Sequence, residues 1–481
     1  MSFKQKTLNG LIWSSLDNLI LLGVNFITGI VLARLLSPRE FGLIGMTTIF
    51  IALGQSLADS GFGHALIRKK ECTQADYSTV FFFNIAVGVF WYLLLVSLAT
   101  TVATFFHEPQ LKPLLPILGL GVILNTLSLI QTTLLTKRVD FKLQARISGV
   151  SSILSGVIGL VFAFKGYGVW SLVALTLSKN ALNTLFLWLW NGWKPSLIFD
   201  IYSFKEMFGF GSKLLGAGLI DTAYRNIYLA VIGKYFSAIE LGYYTRADAF
   251  NQLPSQNITS VIQRVSFPVL SSIREDIPKL KAGYKKLIKS TMLISFVLMI
   301  GMSAVAKPLV LALIGEKWLV SAEYLQLLCF VGMFYPLHAL NLNILNVLGR
   351  SDLFLRLEFI KKALAIPIII IGINYGIKLM IMAMIINTLI AYYLNSYWSG
   401  RLICYSMLDQ IKDILPSFIL ALFMGSIVFY SGQILHVSPW IALIIQIITG
   451  CLLTIAIAEV VKLDSYLYLK QTLVEQINKR V

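Results

Sequence analysis

The stretch Val31-Leu-Ala-Arg34-Leu-Leu-Ser37-Pro-Arg-Glu40-Phe-Gly42 recurs 200 residues later as Val231-Ile-Gly-Lys234-Tyr-Phe-Ser237-Ala-Ile-Glu240-Leu-Gly242. In each copy a basic residue closes an apolar segment, a serine follows three positions later, and Glu-x-Gly opens the next segment. Serine with glutamate three residues after it is typical of a helix N-terminus, where both side chains bond backbone N–H groups. The pattern predicts the same helix–turn–helix in two parts of the chain.

Long apolar segments surround both copies and continue through all 481 residues, of which 57% are hydrophobic and 13% charged. A soluble domain of this size could not bury so much apolar surface. About 20 apolar residues are enough to cross a bilayer as a helix. We therefore predict an all-α integral membrane protein with fourteen spans, which run 10–35, 41–66, 78–106, 113–136, 147–165, 168–191, 211–235, 246–270, 287–314, 322–348, 354–374, 378–400, 413–432 and 437–461.

The eighth span, 246–270, is the most polar of these segments, with two arginines, an aspartate and several amides. If it crosses the membrane and the N-terminus is cytoplasmic, 29 Lys and Arg residues fall on the cytoplasmic side and 9 on the outer side. This bias follows the positive-inside rule and accounts for the net charge of +17 without nucleic acid. A polar spanning helix has to face water or protein, so we expect it to line an aqueous cavity. The alternative is an amphipathic helix on the membrane surface.

The two copies lie six predicted helices apart, an even number that gives both halves the same orientation. The predicted organisation is a six-helix bundle over 1–200, a second over 201–405, and helices 13 and 14 with a cytoplasmic tail over 406–481. Pseudo-symmetric halves of this kind usually enclose a central binding site. We therefore expect the two bundles to surround a central cavity.

Further motifs flank the first copy: Gly10-Leu-Ile-Trp13, Asp59-Ser-Gly61-Phe-Gly63-His-Ala65-Leu-Ile67-Arg68-Lys69 and Asp76-Tyr-Ser78-Thr-Val-Phe81. With the 31–42 stretch, they resemble the bacterial polysaccharide transporter family, most closely its colanic-acid and teichuronic-acid exporter branch. This family belongs to the superfamily of multidrug, oligosaccharidyl-lipid and polysaccharide flippases. The motif match covers the first 85 residues or so, and the architecture match covers the chain.

The resemblance implies a flippase for an undecaprenyl-pyrophosphate-linked oligosaccharide repeat unit. Such a protein lies in the bacterial cytoplasmic (inner) membrane with both termini in the cytoplasm. It serves O-antigen, capsule or exopolysaccharide synthesis by alternating access, with membrane lipids and a polysaccharide polymerase and export machinery as partners. The fold implied is two six-helix bundles around a V-shaped cavity, with two additional helices.

A lipid-linked sugar carries phosphates and hydroxyls, which cationic and amide side chains bind well. Arg225 lies mid-span between Asp221 and Tyr228, at spacings that place all three on one helix face. We expect Arg225 to contact phosphate or sugar, although an Asp221–Arg225 pair that is only structural is equally compatible. The other candidates are polar residues within predicted spans: Asp17, Asn18, Asn25, Lys179, Asn251, Gln252, Gln256 and Asn257. Asp17 and Asp221 are candidate carboxylates for coupling to a proton or sodium gradient.

Other chemistries find little support in the sequence. The four histidines (His64, His107, His338, His436) and four cysteines (Cys72, Cys329, Cys404, Cys451) lack metal-ligand or redox spacing, so we expect no metal, cofactor or enzymatic activity. Two alternatives from the same superfamily stay open, a lipid II flippase and a drug/cation antiporter. A membrane-embedded polymerase or ligase fits less well, because the predicted outer loops are short.

Overall fold

The computed structural model describes residues 3–59, 61–434 and 437–478, and over these ranges it is helical, with no strand. A short 3-10 helix, Glu316–Trp318, precedes α12. The nineteen α-helices are α1 Phe3–Leu35, α2 Pro38–Asp59, α3 Phe62–Arg68, α4 Gln74–Phe106, α5 Leu111–Lys137, α6 Phe141–Phe164, α7 Trp170–Asn191, α8 Ile201–Tyr235, α9 Ala238–Ser272, α10 Ile277–Ala304, α11 Ala306–Leu313, α12 Leu319–Gly332, α13 Tyr335–Val347, α14 Ser351–Ala363, α15 Ala365–Tyr375, α16 Ile377–Leu402, α17 Met407–Ile434, α18 Pro439–Val460 and α19 Asp464–Asn478.

Ten helical segments of the described chain are long and apolar enough to cross a membrane: α2, α4, α5, α6, α7, α10, the segment Glu316–Val347, α16, α17 and α18. The chain is therefore a multi-pass membrane protein. Helices also cover the four other predicted spans, in α1, α8, α9 and the α14–α15 pair. The helical class is confirmed, whereas the count of fourteen spans stays a prediction.

The two copies of the repeated stretch form the helix starts that the sequence predicts. At the start of α2, the Glu40 carboxylate accepts hydrogen bonds from the Ser37 backbone N–H (2.5 Å) and from Ser37 Oγ (3.0 Å). At the start of α9, Ser237 Oγ accepts from the backbone N–H of Glu240 at 3.1 Å. Each serine–glutamate pair thus satisfies backbone or side-chain donors at a helix N-terminus.

The glycines that end the two copies touch each other's helices reciprocally. A Cβ on Gly42 would lie 1.6 Å from the carbonyl oxygen of Ala238, and a Cβ on Gly242 would lie 1.8 Å from that of Pro38. Ala238 and Pro38 occupy equivalent positions in the two copies, so the contact repeats itself under exchange of the copies. The contact between the two helix starts is therefore reciprocal.

Contacts divide the chain into two compact units, Met1–Gly242 and Tyr243–Val481. Within unit 1, α6 packs on α7, α4 on α5, α1 on α6, and α2 on α8. Within unit 2, α10 packs on α17, α15 on α16, and α17 on α18. Grouping by contacts thus places α8 in unit 1, although the sequence repeat assigns it to the second half. The repeat-based boundaries at 200 and 405 stay predictions.

The N-terminal part of α8 is fixed to α3 and α4 of unit 1. The ring of Phe204 lies 6.1 Å from that of Phe62. Lys69 Nζ bridges Asp76 (3.1 Å) and Glu206 (3.0 Å), and the hydrogen bond to Glu206 is the main cause that raises the pKa of Lys69. Gly61 has a φ of +68°, and a Cβ there would lie 2.8 Å from the Gly211 carbonyl. These contacts set the direction in which α8 crosses unit 1.

A network of buried polar side chains joins α13, α16 and α17 of unit 2. Ser399 Oγ donates to Asn341 Oδ1 at 2.5 Å, and Asn341 Nδ2 donates to Gln410 Oε1 at 3.4 Å. The C-terminal helix α19 is held to α10 by Lys289 and Asp464, 2.8 Å apart. Interhelical hydrogen bonds between small polar side chains are common glue in membrane proteins.

Candidate functional site

A polar cavity of about 740 Å³ lies within unit 1, between α2, α3, α5 and α8. It is in the half of the unit where α2 and α5 end. Its polar lining consists of Gln55, Ser56 and Asp59 from α2; Asn125, Ser128, Thr132, Thr133 and Thr136 from α5; and Thr222, Arg225 and Asn226 from α8. We call this space the polar cavity. Its size is within the range of small-molecule binding sites.

The α5 wall is a stripe of hydroxyl and amide groups. Asn125, Ser128, Thr132 and Thr136 follow one another at spacings of three and four, which place them on one face of a helix. Ser128 Oγ donates to the Asn125 carbonyl at 2.9 Å, and Thr132 and Thr136 bond back into their own helix in the same way. Because each hydroxyl donates its proton to a backbone carbonyl, its oxygen can accept a hydrogen bond from a ligand.

Arg225 supplies the cationic group of the polar cavity. Its Nε lies 2.7 Å from Asp221 Oδ2, and the Arg225 side chain is 73% exposed. Because the pair engages Nε, a ligand can meet the two terminal amino groups of the guanidinium in bidentate fashion. At the next residue, Asn226 Nδ2 donates to the Thr222 carbonyl at 2.8 Å.

Glycine at position 63 keeps the polar cavity open near α3. A Cβ there would lie 3.3 Å from Asp59 Oδ1 and 3.4 Å from Thr133 Oγ1. A larger side chain would extend toward these two lining groups. The small residue therefore leaves their oxygens accessible from the cavity.

The predicted residues of the first and sixth spans form a separate group in unit 1. The Asp17 carboxylate of α1 accepts a hydrogen bond from Ser148 Oγ of α6. Asp17 also attracts the ammonium of Lys179 on α7 electrostatically, and both side chains are half-buried. Asn25 is exposed, whereas the Asn18 side chain is outside the described part of the chain. Asp17, Asn25 and Lys179 are not among the residues that line the polar cavity.

The predicted amides of the eighth span lie on α9 in unit 2. Asn251 is fully buried, with its Oδ1 2.3 Å from where a Cβ on Gly332 of α12 would be. Gln252, Gln256 and Asn257 are exposed. On α8, Tyr228 is half-buried and does not line the polar cavity. Substrate contact by these five residues stays a prediction.

Sequence reasoning missed most of the cavity lining. The stripe on α5 was visible in the sequence as the 125, 128, 132, 136 spacing, but its hydroxyls hardly lower the hydropathy of the span. Gln55 and Asp59 on α2 had a similar signal, since they are four residues apart. Of the predicted site residues, Arg225 alone is among the side chains that line the polar cavity as described.

Comparison with known proteins gives consistent results. A family model described as "Polysaccharide biosynthesis protein" matches residues 31–323. The lipopolysaccharide biosynthesis protein WzxC of Escherichia coli is 26% identical over 404 residues, which cover 82% of this chain and 81% of that protein. The teichuronic acid biosynthesis protein TuaB of Bacillus subtilis is 25% identical and covers 73% of each chain. The solved structure of the lipid II flippase MurJ, in an inward closed conformation, matches with a TM-score of 0.77 at 16% identity, covering 94% of this chain and 99% of that one. At this identity, the structural likeness shows the fold alone.

Proposed function

Because the chain belongs to the family of polysaccharide biosynthesis proteins, we propose that it flips an undecaprenyl-pyrophosphate-linked oligosaccharide repeat unit across the bacterial cytoplasmic membrane. The relatives in Escherichia coli and Bacillus subtilis are named for two different surface polymers. The proposed cargo is therefore the lipid-linked precursor of a surface polysaccharide, with no choice among sugars.

The observation that carries the proposal is that Arg225 and the hydroxyl stripe of α5 line the same polar cavity. A guanidinium binds phosphate oxygens in bidentate fashion through its terminal amino groups. Hydroxyl and amide groups such as Thr132 and Asn125 accept and donate hydrogen bonds to sugar hydroxyls. The cavity thus offers both chemistries that the headgroup of a lipid-linked sugar requires.

The proposed transport cycle is alternating access. The headgroup enters the polar cavity from the cytoplasmic leaflet, where α2 and α5 end in the predicted topology. A phosphate there meets the terminal amino groups of Arg225, beside the ion pair that Nε makes with Asp221. Asp221 and Asp17 are the carboxylates through which a proton or sodium gradient would act on the cycle.

The test is export in cells that carry Arg225→Ala or Arg225→Lys in place of the native gene. We expect Arg225→Ala to stop surface polymer formation and to accumulate the lipid-linked repeat unit on the cytoplasmic side. Arg225→Lys keeps the charge but loses the planar fork, so we expect partial export. Arg356→Ala is the matched control, because Arg356 is an exposed arginine of α14 outside the polar cavity.

Two results would overturn the proposal. One is normal surface polysaccharide in the Arg225→Ala strain with wild-type amounts of protein in the membrane. The other is accumulation of lipid II, or of a cationic drug, in place of a lipid-linked polysaccharide precursor when the gene is deleted. Those outcomes would point to the lipid II flippase or the antiporter, respectively.

A further inference from the structure

A second cavity in unit 1 lies at the end where α2, α5 and α7 begin, and the polar cavity does not include it. Its volume is about 360 Å³. The floor is apolar, with Leu43 and Leu114 both buried. In the predicted topology this end faces the outside. We call this space the outer pocket.

Two aromatic side chains form one side of the outer pocket. Tyr167 is 53% exposed and Trp170 is half-buried. Tyr167 lies in the turn between α6 and α7, and Trp170 is the first residue of α7. In this turn, Gly166 has a φ of +78° and Gly168 a φ of +57°. Residues with side chains rarely adopt these angles, so the glycines are what allows the turn to place the two rings.

The polar side of the outer pocket is held in place by hydrogen bonds. The Glu40 carboxylate is fixed by Ser37, as described above, and its Oε1 lies 2.6 Å from where a Cβ on Gly168 would be. Arg39 Nη2 lies 2.7 Å from Glu108 Oε2. A carboxylate and a guanidinium that are already oriented lose little entropy when a ligand binds.

The second half of the chain has an equivalent turn without this pocket chemistry. Tyr167-Gly168-Val-Trp170 corresponds to Tyr375-Gly376-Ile-Lys378, between α15 and α16. Lys378 replaces the tryptophan, and its Nζ lies 2.6 Å from a Glu323 carboxylate oxygen. Tyrosine and glycine are thus common to both turns, whereas Trp170 belongs to the first turn alone. A side chain needed only to form the turn would have no reason to differ in this way.

We propose that the outer pocket binds one or two sugar rings of the transported glycan after they emerge on the outer side. Sugar rings present C–H faces that pack on aromatic rings, and hydroxyls that hydrogen-bond carboxylate, guanidinium and amide groups. The outer pocket supplies both, with Trp170 and Tyr167 for the faces and Glu40, Arg39 and Gln110 for the hydroxyls. A phosphate fits poorly, because Glu40 lines the pocket and Glu108 already neutralises Arg39. This inference rests on the proposed function, since the glycan is its cargo.

The test measures saccharide binding by the full chain in lipid nanodiscs. The probe is a set of oligosaccharides of about four to eight sugars, a size that extends beyond the outer pocket. They are released by mild acid from the surface polysaccharide of the source strain and labelled with a fluorophore at the reducing end. Fluorescence anisotropy gives the Kd. All measurements are made in an Arg225→Ala background as well, so that binding in the polar cavity is separated from binding in the outer pocket.

We expect Tyr167→Ala and Trp170→Lys each to raise the Kd by about tenfold, a size typical of losing one ring contact. Trp170→Phe keeps a ring and should stay within about threefold of the parent chain. Tyr375→Ala is the matched control, because Tyr375 is 72% exposed in the equivalent turn and should leave the Kd unchanged. Gel-filtration profiles and Tm values of all variants check that each folds.

The inference fails if the parent chain does not bind the probe in the Arg225→Ala background. It also fails if Tyr167→Ala and Tyr375→Ala have the same Kd, or if Trp170→Lys binds as the parent does. The proposed function is tested separately, by measuring polysaccharide export in the Arg225→Ala strain. A chain that still exports but shows none of these binding differences retains the proposed function and loses the outer pocket as a sugar site.

Discussion

Alanine in place of Gly42 would put a methyl carbon 1.6 Å from the carbonyl oxygen of Ala238, and alanine at Gly242 would put one 1.8 Å from that of Pro38. Both obstacles are backbone atoms, so no side-chain rotation relieves the clash. To regain a contact of about 3.4 Å, the two helix starts have to separate by roughly 1.8 Å. Forced overpacking of a close-packed contact costs about 1–3 kcal/mol, and we expect the upper part of this range for each variant.

The assay is thermal unfolding of purified protein in detergent. Its readout is the fraction of protein that stays monodisperse after heating. Gly216→Ala on α8 is the control, because nothing lies within 4 Å of a Cβ there. Alanine should stabilise that helix by about 0.5–1 kcal/mol. If Gly42→Ala and Gly242→Ala are as stable as Gly216→Ala, the reciprocal contact does not exist as described. A loss of stability at one glycine and not at the other would show that the contact is not reciprocal.

The remaining predictions concern the ion pairs of Lys69. Lys69→Met removes the cationic partner of Asp76, whose side chain is 1% exposed and keeps the hydrogen bond from the Thr73 backbone N–H. The change should destabilise unit 1 by about 1–3 kcal/mol in the same unfolding assay. Lys70→Met, at an exposed neighbour, should stay within about 0.5 kcal/mol of the parent. Since the bond to Glu206 raises the pKa of Lys69 from its ordinary value of 10.5, this contribution is complete below that pH and is lost as pH rises through the higher folded value. Wild-type Tm minus the Lys69→Met Tm should therefore be constant from about pH 6 to 9, and a difference that shrinks in this window would refute the assignment.

The sequence predicted the parts of the fold that depend on local pattern. Serine–glutamate capping in both copies of the repeat is confirmed at Ser37 and at Ser237, because capping involves residues only three apart. The family suggested by the motifs between Gly10 and Phe81 is also confirmed. The closeness of Gly42 to Ala238 could not be predicted, since it depends on how two distant helix starts meet.

The candidate site was predictable only where charge stands out. Arg225 and Asp221 interrupt an apolar span, so the sequence pointed to both. They form the ion pair that the structural interpretation of these residues predicted. The hydroxyls at Ser128 and Thr132 were missed, because serine and threonine bond back into their helix and do not lower hydropathy enough to be noticed. Asn251 is a polar residue of the kind expected in a cavity, but it is buried against Gly332. This contact depends on the small size of Gly332 and could not be predicted from the sequence around Asn251.

The position of α8 explains why these two kinds of residue lie together. An arginine at membrane depth costs about 2.5–3.5 kcal/mol if it faces lipid, so Arg225 needs a polar wall. The sequence repeat places that wall's helices, α2 and α5, in the other half of the chain. Contacts of Phe204 and Glu206 with α3 and α4 hold α8 within unit 1 and so carry Arg225 to the stripe that contains Thr132. Within a membrane, both the charged pair and the hydroxyl stripe require polar neighbours or water. Both line the same space of about 740 Å³, where the hydroxyl stripe gives the charged pair polar surroundings.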